Sequence, residues 1–138
     1  MRVVRGPQAA WFSGAAWRTL LEGTFRVGAQ SDRMGVRLVG AALAREGQPE
    51  MISEPVATGA IQVPPDGQPI VLLVDRQTLG GYPKIAHVIS ADLTQLAQLR
   101  PDESVRFEEV TLAEAETLRL EQERALGLLQ VGLRQKLH

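Results

Sequence analysis

A mainly β fold with helices, closing on one long C-terminal helix, is what the order of patterns in this 138-residue chain predicts. Three observations carry that prediction. Five or six short runs of strand character precede residue 110, a Pro-Asp-Gly turn joins two of them, and beyond Thr111 leucines recur at helical spacing. The length suits a single domain over residues 1–138.

Residues 2–5 set Val3 and Val4 between Arg2 and Arg5 and stop at Gly6-Pro7, a short first strand ending in a turn. From 8 to 21 the apolar Ala10, Trp11, Trp17, Leu20 and Leu21 are near helical spacing, but Ser13-Gly14 divides them into two short pieces. Phe25, Val27 and Ala29 then alternate with polar neighbours, and a second strand at 36–39 follows the charged turn at 30–33. Residues 44–54, with Gly47 and Pro49, read as a surface connection.

The sharpest local signal is the hairpin of 59–63 and 70–74. Pro65 presets φ for its turn, Asp66 caps with its side chain, and Gly67 accepts positive φ. The unbroken apolar run 70–74 predicts a strand buried on both faces. Another apolar run at 85–89 precedes Asp92, placed to cap a short helix of Leu93, Leu96 and Leu99 that Pro101 stops, and 105–110 reads as a closing strand. Thr111 and Glu114 have capping-box spacing at the start of the 111–137 helix, whose apolar stripe is interrupted at Gln122.

Composition narrows function. Fifteen basic and sixteen acidic residues are interspersed, leaving a net charge of −1 and no basic stripe for nucleic acid. Without Cys there are no disulfides or thiolate sites, which agrees with a cytoplasmic protein. His87 and His138 are too few for a histidine metal centre, so no metal is assigned; His87, inside an apolar strand, reads as a satisfied histidine rather than a base. No segment has signal-peptide character and no apolar run is of membrane-spanning length, so a membrane partner is not expected.

Chemistry concentrates in residues 75–84, a polar, Gly-rich loop between apolar strands. In one reading Gly80 and Gly81 offer backbone N–H groups as an anion nest, Arg76 and Lys84 hold a carboxylate or phosphate, and Asp75 acts as base or orients Arg76. In the other, Asp75 and Arg76 are surface charges, Gly80-Gly81 is a hairpin turn and Tyr82-Pro83 fixes its exit. Asp66 reads first as a turn former, as does 31–33.

Four segments, SDRMGVRL at 31–38, SEPV at 53–56, GAIQVPPDGQPI at 59–70 and DRQTLGGYPK at 75–84, together resemble the 5-oxoprolinase subunit designated C. That family is also described as biotin-dependent carboxyltransferase or allophanate hydrolase subunit 2, and it includes the Kip-type antagonist of a sporulation-kinase inhibitor. The resemblance covers nearly the whole chain and corresponds to the C-terminal half of a longer polypeptide. It implies a cyclophilin-like β-barrel and two partner subunits, one like the Kip-type inhibitor and one a lactam hydrolase. It also implies cleavage of 5-oxoproline to glutamate with ATP, which enters at the level of the complex.

The resemblance marks Ser31, Asp32, Arg33, Gln62, Pro64, Asp66, Gln68, Asp75, Arg76, Gln77, Gly80, Gly81, Tyr82 and Lys84 as site positions; of these we read Asp75, Arg76 and Lys84 as catalytic and the others as substrate-binding. The chain departs from the family pattern at Leu79, where Thr is usual, and at Asp102-Glu103, where a Gly-Asp turn is usual. Two other functions accompany the resemblance: a urea carboxylase type carboxyltransferase, whose biotin would come from another chain because no Met-Lys-Met site exists here, and a non-catalytic Kip-type binding module. A homo-oligomer is compatible with each.

Overall fold

The computed structural model describes residues 1–47 and 51–137. Ten strands form in chain order: β1 (Arg2–Arg5), β2 (Phe25–Val27), β3 (Gly35–Val39), β4 (Glu54–Pro55), β5 (Ala60–Gln62), β6 (Ile70–Leu72), β7 (Leu79–Gly80), β8 (Lys84–Val88), β9 (Ser104–Val105) and β10 (Glu108–Glu109). Helices α1 (Gly14–Glu22), α2 (Leu93–Ala97) and α3 (Leu112–Leu137) complete it, with 3-10 turns at Ala9–Trp11 and Ser90–Asp92.

Eight strands make one sheet in the order β10-β1-β8-β5-β6-β3-β2-β9, and β4 pairs with β7 separately. The two edge strands, β9 and β10, are separated along the chain only by Arg106 and Phe107. Three residue steps span at most about 11 Å, so the sheet has to curl until its edges meet. Eight strands enclose just enough room for side chains to fill. Val3, Phe25, Leu38, Ile61, Val71, Ile85 and Val88 fill it, each almost wholly buried, and α1 adds Trp17 and Leu20 to the same core. Phe25 and Phe107 pack at 5.9 Å between ring centroids, holding the seam from within.

Several expectations are met. Ser13 caps α1 by accepting from the Ala16 amide at 3.0 Å, so Ser13-Gly14 divides a 3-10 turn from a helix. Gly67 sits at φ 78° in the turn after β5, with the Asp66 carboxylate accepting from the Gln68 amide at 2.9 Å. Thr111 accepts from the Glu114 amide at 3.1 Å, while the Glu114 carboxylate turns to the Thr111 hydroxyl instead of a backbone donor.

Others are corrected. The strand expected over 70–74 ends at Leu72, because the chain turns at Val74-Asp75 to begin the polar loop, and Val74 is 76% exposed. The single closing strand expected over 105–110 is two strands on opposite edges, since the chain must cross the seam between them. Asp92 occupies the cap position of α2 but makes no cap bond. Its carboxylate is taken by Arg2, whose amide, Nε and Nη2 donate at 2.7, 3.1 and 2.6 Å. A bidentate guanidinium outcompetes a neutral backbone donor. The α3 stripe is half-buried at Ala115, Leu118 and Gln122 but exposed at Leu126, Leu129 and Leu133. Of the connection expected over 44–54, residues 48–50 lie outside the described residues.

Candidate functional site

The pairing register builds the site before any side chain is considered. Arg37 on β3 pairs with Ile70 on β6, Ile70 with Gln62 on β5, and Gln62 with Lys84 on β8. Directly paired residues project to one face, so these four form a row across the outside of the barrel. A register shift between Ile61 and Gln62 lets Ile85 and Ala86 both enter the core while Lys84 stays with the outer row.

A flap covers that row. It consists of β4 and β7, paired Glu54 to Gly80 and Pro55 to Leu79, and it rests on a small second apolar cluster of Val56, Ala60, Leu72 and Ile70. Arg76 clamps it: Nε donates to the Val56 carbonyl at 3.1 Å, and Nη1 donates to Thr58 Oγ1 at 2.9 Å and the Val74 carbonyl at 3.3 Å. Lys84, with only 6% of its side chain exposed, donates from Nζ to Glu54 Oε2 at 3.1 Å and latches the flap from beneath.

Between flap and sheet lies a cleft of about 330 Å³ whose lining includes Asp32, Arg37, Gln62, Gln77, Leu79 and Tyr82. Gln62 is buried and its Nε2 has no partner among the described residues. A buried amide nitrogen without an acceptor is costly, and an oxygen of a water or of a ligand would satisfy it. The Arg37 guanidinium, lining the same cleft, has no ion pair or hydrogen bond among the described residues. Asp32, in the same lining, makes no ion pair with it among the described residues; its Oδ1 accepts from the Met34 and Gly35 amides at 2.8 and 3.2 Å. Among the described residues the cleft therefore offers an unpaired cation, an orphan donor and, at its mouth, the Tyr82 phenol and Gln77 amide, a set suited to a small acid that also carries a carbonyl.

The residues singled out in the sequence are thus distributed rather than convergent. Asp32, Gln62, Gln77 and Tyr82 line the cleft. Ser31 holds the preceding turn, accepting from the Arg37 amide at 2.9 Å. Pro64, Asp66 and Gln68 line a neighbouring groove shared with Arg37, and Gln68 braces the turn through both amide atoms to the Gly40 backbone at 3.0 and 3.1 Å. Asp75 and Arg33 line a third depression beside α2, away from Lys84.

The two glycines part company with the nest reading. Neither Gly80 nor Gly81 has the positive φ that one arm of a nest requires, and Gly80 is a strand residue paired with Glu54, not a hairpin turn. Its lack of a side chain is needed for another reason: a Cβ there would stand 2.1 Å from Gln62 Nε2 and 2.9 Å from Val56 Cγ1. His87 directs Nδ1 to the Val88 carbonyl at 2.9 Å, a satisfied histidine as expected. Sequence reasoning missed Arg37 and Glu54. Arg37 alternates with buried Val36 and Leu38 and so reads as an ordinary outward strand charge, and nothing local ties Glu54 to a lysine thirty positions away.

The profile of the family described as carboxyltransferase domain, subdomain A and B, matches residues 1–109, which hold every strand of the barrel and both strands of the flap. The chain belongs to this family. Within this carboxyltransferase-domain family it is similar to the 5-oxoprolinase subunit designated C of Haemophilus influenzae, 53% identical over 93 residues that make up 67% of this chain and 30% of that protein. It is also similar to the protein of the same name in Escherichia coli, 40% identical over 124 residues, 90% of this chain and 40% of that protein. The chain thus spans well under half the length of these curated relatives. The crystal structure of Kluyveromyces lactis urea carboxylase shares the fold, with a TM-score of 0.84 at 24% identity over 91% of this chain and 12% of that one.

Among the described residues no three His, Asp or Glu side chains gather as a metal site would need, and no helix is long and apolar enough to cross a membrane.

Proposed function

We propose that this carboxyltransferase-domain chain is a component of a cytoplasmic, ATP-dependent 5-oxoprolinase, in the place of the C-type subunit, and that the cleft beneath the flap takes 5-oxoproline. The observation that carries the proposal is that buried Gln62, whose Nε2 has no partner among the described residues, lines the same cleft as the unpaired Arg37. 5-Oxoproline presents one carboxylate and one lactam carbonyl. Arg37 would take the carboxylate in a bidentate contact, and the Gln62 amide would donate to the lactam oxygen. The similarity to the two bacterial 5-oxoprolinase proteins supports the same reading.

One guanidinium does not match the charge of a triphosphate, so ATP is assigned to a partner, either the lactam hydrolase or the Kip-inhibitor-like protein. Lys84 and Arg76, occupied by Glu54 and by neutral oxygens, become positioning residues that set the flap over the substrate. Asp75, solvated and unpaired among the described residues, lies in the depression beside α2 and not in the cleft, so no step is assigned to it.

The test is ATP-dependent glutamate release from 5-oxoproline with both partner proteins added. Arg37→Ala and Gln62→Leu are each expected to raise KM about 10- to 100-fold, the worth of one lost hydrogen bond to a charged or buried partner. Unchanged KM and kcat in both variants would sink the assignment. Carboxyl transfer is the second reading, favoured by the family match itself. It requires carboxybiotin carried on another chain, and transfer of the carboxyl group from carboxybiotinyl carrier to urea, with no turnover of 5-oxoproline, would select it.

A further inference from the structure

Among the described residues, the second half of α3 bears apolar surface that stays exposed. Over its first half the helix docks on the barrel through half-buried Ala115, Leu118 and Gln122, whose Nε2 donates to the Ala91 carbonyl at 3.2 Å. Leu126, Leu129 and Leu133 continue the same row in steps of four, three and four residues, so the docking face runs on past the barrel. They are 54%, 59% and 52% exposed.

Charge along this helix is polarised. The first half carries Glu114, Glu116, Glu121 and Glu123 against Arg119 and Arg124, four acidic and two basic, and the last turn carries Arg134 and Lys136. Glu121, Arg134 and Lys136 have no ion-pair partner among the described residues, whereas Glu123 is held by Arg119. A helix acidic at one end and basic at the other complements its own copy only when the two run antiparallel; a parallel pair would set like charges side by side.

We infer that two copies of this chain associate through residues 121–137 of α3, antiparallel about a two-fold axis near Leu129. With residues 128 and 129 at the crossing, Lys136 of one copy stands beside Glu121 of the other on one flank of the stripe, and Arg134 beside Glu123 on the opposite flank. Leu126, Leu129 and Leu133 of both copies close the stripe between them. Ala125 and Gly132, on the edge of the stripe, keep the backbones free to approach; a Cβ on Gly132 would meet nothing within 4 Å. Each copy contributes the same patch, the isologous contact of a closed dimer.

Sedimentation equilibrium of the full chain from micromolar to millimolar concentration reads the association, and circular dichroism confirms that each variant is folded. The double variant Glu121→Lys, Glu123→Lys is expected to weaken the dimer about tenfold or more, as is Arg134→Glu, Lys136→Glu, and mixing the two should restore it as a heterodimer. The chain has no cysteine, so introduced ones report the orientation cleanly. Leu129→Cys should cross-link under mild oxidation, while Gln122→Cys should not, because its mate lies roughly 20 Å away along the antiparallel pair. A monomer throughout the range, association indifferent to the charge swaps, or cross-linking through Gln122→Cys but not Leu129→Cys would overturn the inference. A face covered instead by a further stretch of polypeptide or by a different protein would give the first or second of these results.

Discussion

Gly80 and Gly81 stand next to each other and are not equivalent. A methyl group on Gly80 would occupy the space of the Gln62 amide, whereas the nearest atom to a Cβ on Gly81 is Ser53 Oγ at 3.6 Å. Gly80→Ala is therefore expected to cost about 1–3 kcal/mol in denaturant unfolding and to raise KM by displacing Gln62, while Gly81→Ala leaves both within error. Asp102 is a second singular residue. It takes φ 69° where the family resemblance leads one to expect Gly, and of the described non-glycine residues it alone has positive φ. Asp tolerates this region and a β-branched residue does not, so Asp102→Val should destabilise by about 1–2 kcal/mol and Asp102→Gly by nothing measurable. The position was legible in the sequence as a departure from pattern, and the backbone explains why a departure matters there. The Gly80 requirement was legible only as a motif letter, because its cause is an approach between residues eighteen positions apart.

At the scale of elements, the flap is the least secured part of the site. Its strands are two residues each, and besides their own pairing it rests on one small apolar cluster, the Arg76 clamp and the Lys84–Glu54 latch. Arg76→Ala should raise hydrogen exchange at the Val56 amide, which donates to the Thr78 carbonyl at 3.2 Å, while amides of β5 and β8 keep their protection. Equal loosening of both regions would mean that the clamp supports the barrel and not the flap. Short elements such as β4 and β7 leave little periodicity to read, which is why residues 53–56 and 79–80 carried motif resemblance but no strand prediction. The hairpin of β5 and β6 was readable because Pro65, Asp66 and Gly67 each force part of its turn locally.

For the molecule as a whole, the strands could be read singly but their order could not, since β1 lies between β8 and β10 by pairing residues about a hundred positions apart. The contact that ties this region is Arg2 with Asp92. Burial pushes the Asp92 carboxyl up, but the hydrogen bonds from Arg2, with the Arg2 and N-terminal charges, outweigh it and hold the group below its ordinary value. A carboxyl whose folded value is depressed stabilises above its unfolded value and loses that contribution as pH falls through the folded one. Unfolding free energy should thus drop below about pH 4, and Asp92→Asn, about 2–3 kcal/mol less stable near neutrality, should show a shallower drop. The seam has a further consequence, in time rather than in energy. Because the edges of the sheet meet only through Arg106 and Phe107, the barrel cannot shut until the chain has been synthesised past residue 109, and the pairing of β1 with β10 closes a loop of most of the chain's length. Loops of that size place folding in the millisecond to second range, slower than helical chains of equal length. Stopped-flow refolding of Phe107→Leu, which thins the seam without removing it, should show whether closure is the step that sets the rate: slowed folding with little change in unfolding would say that it is.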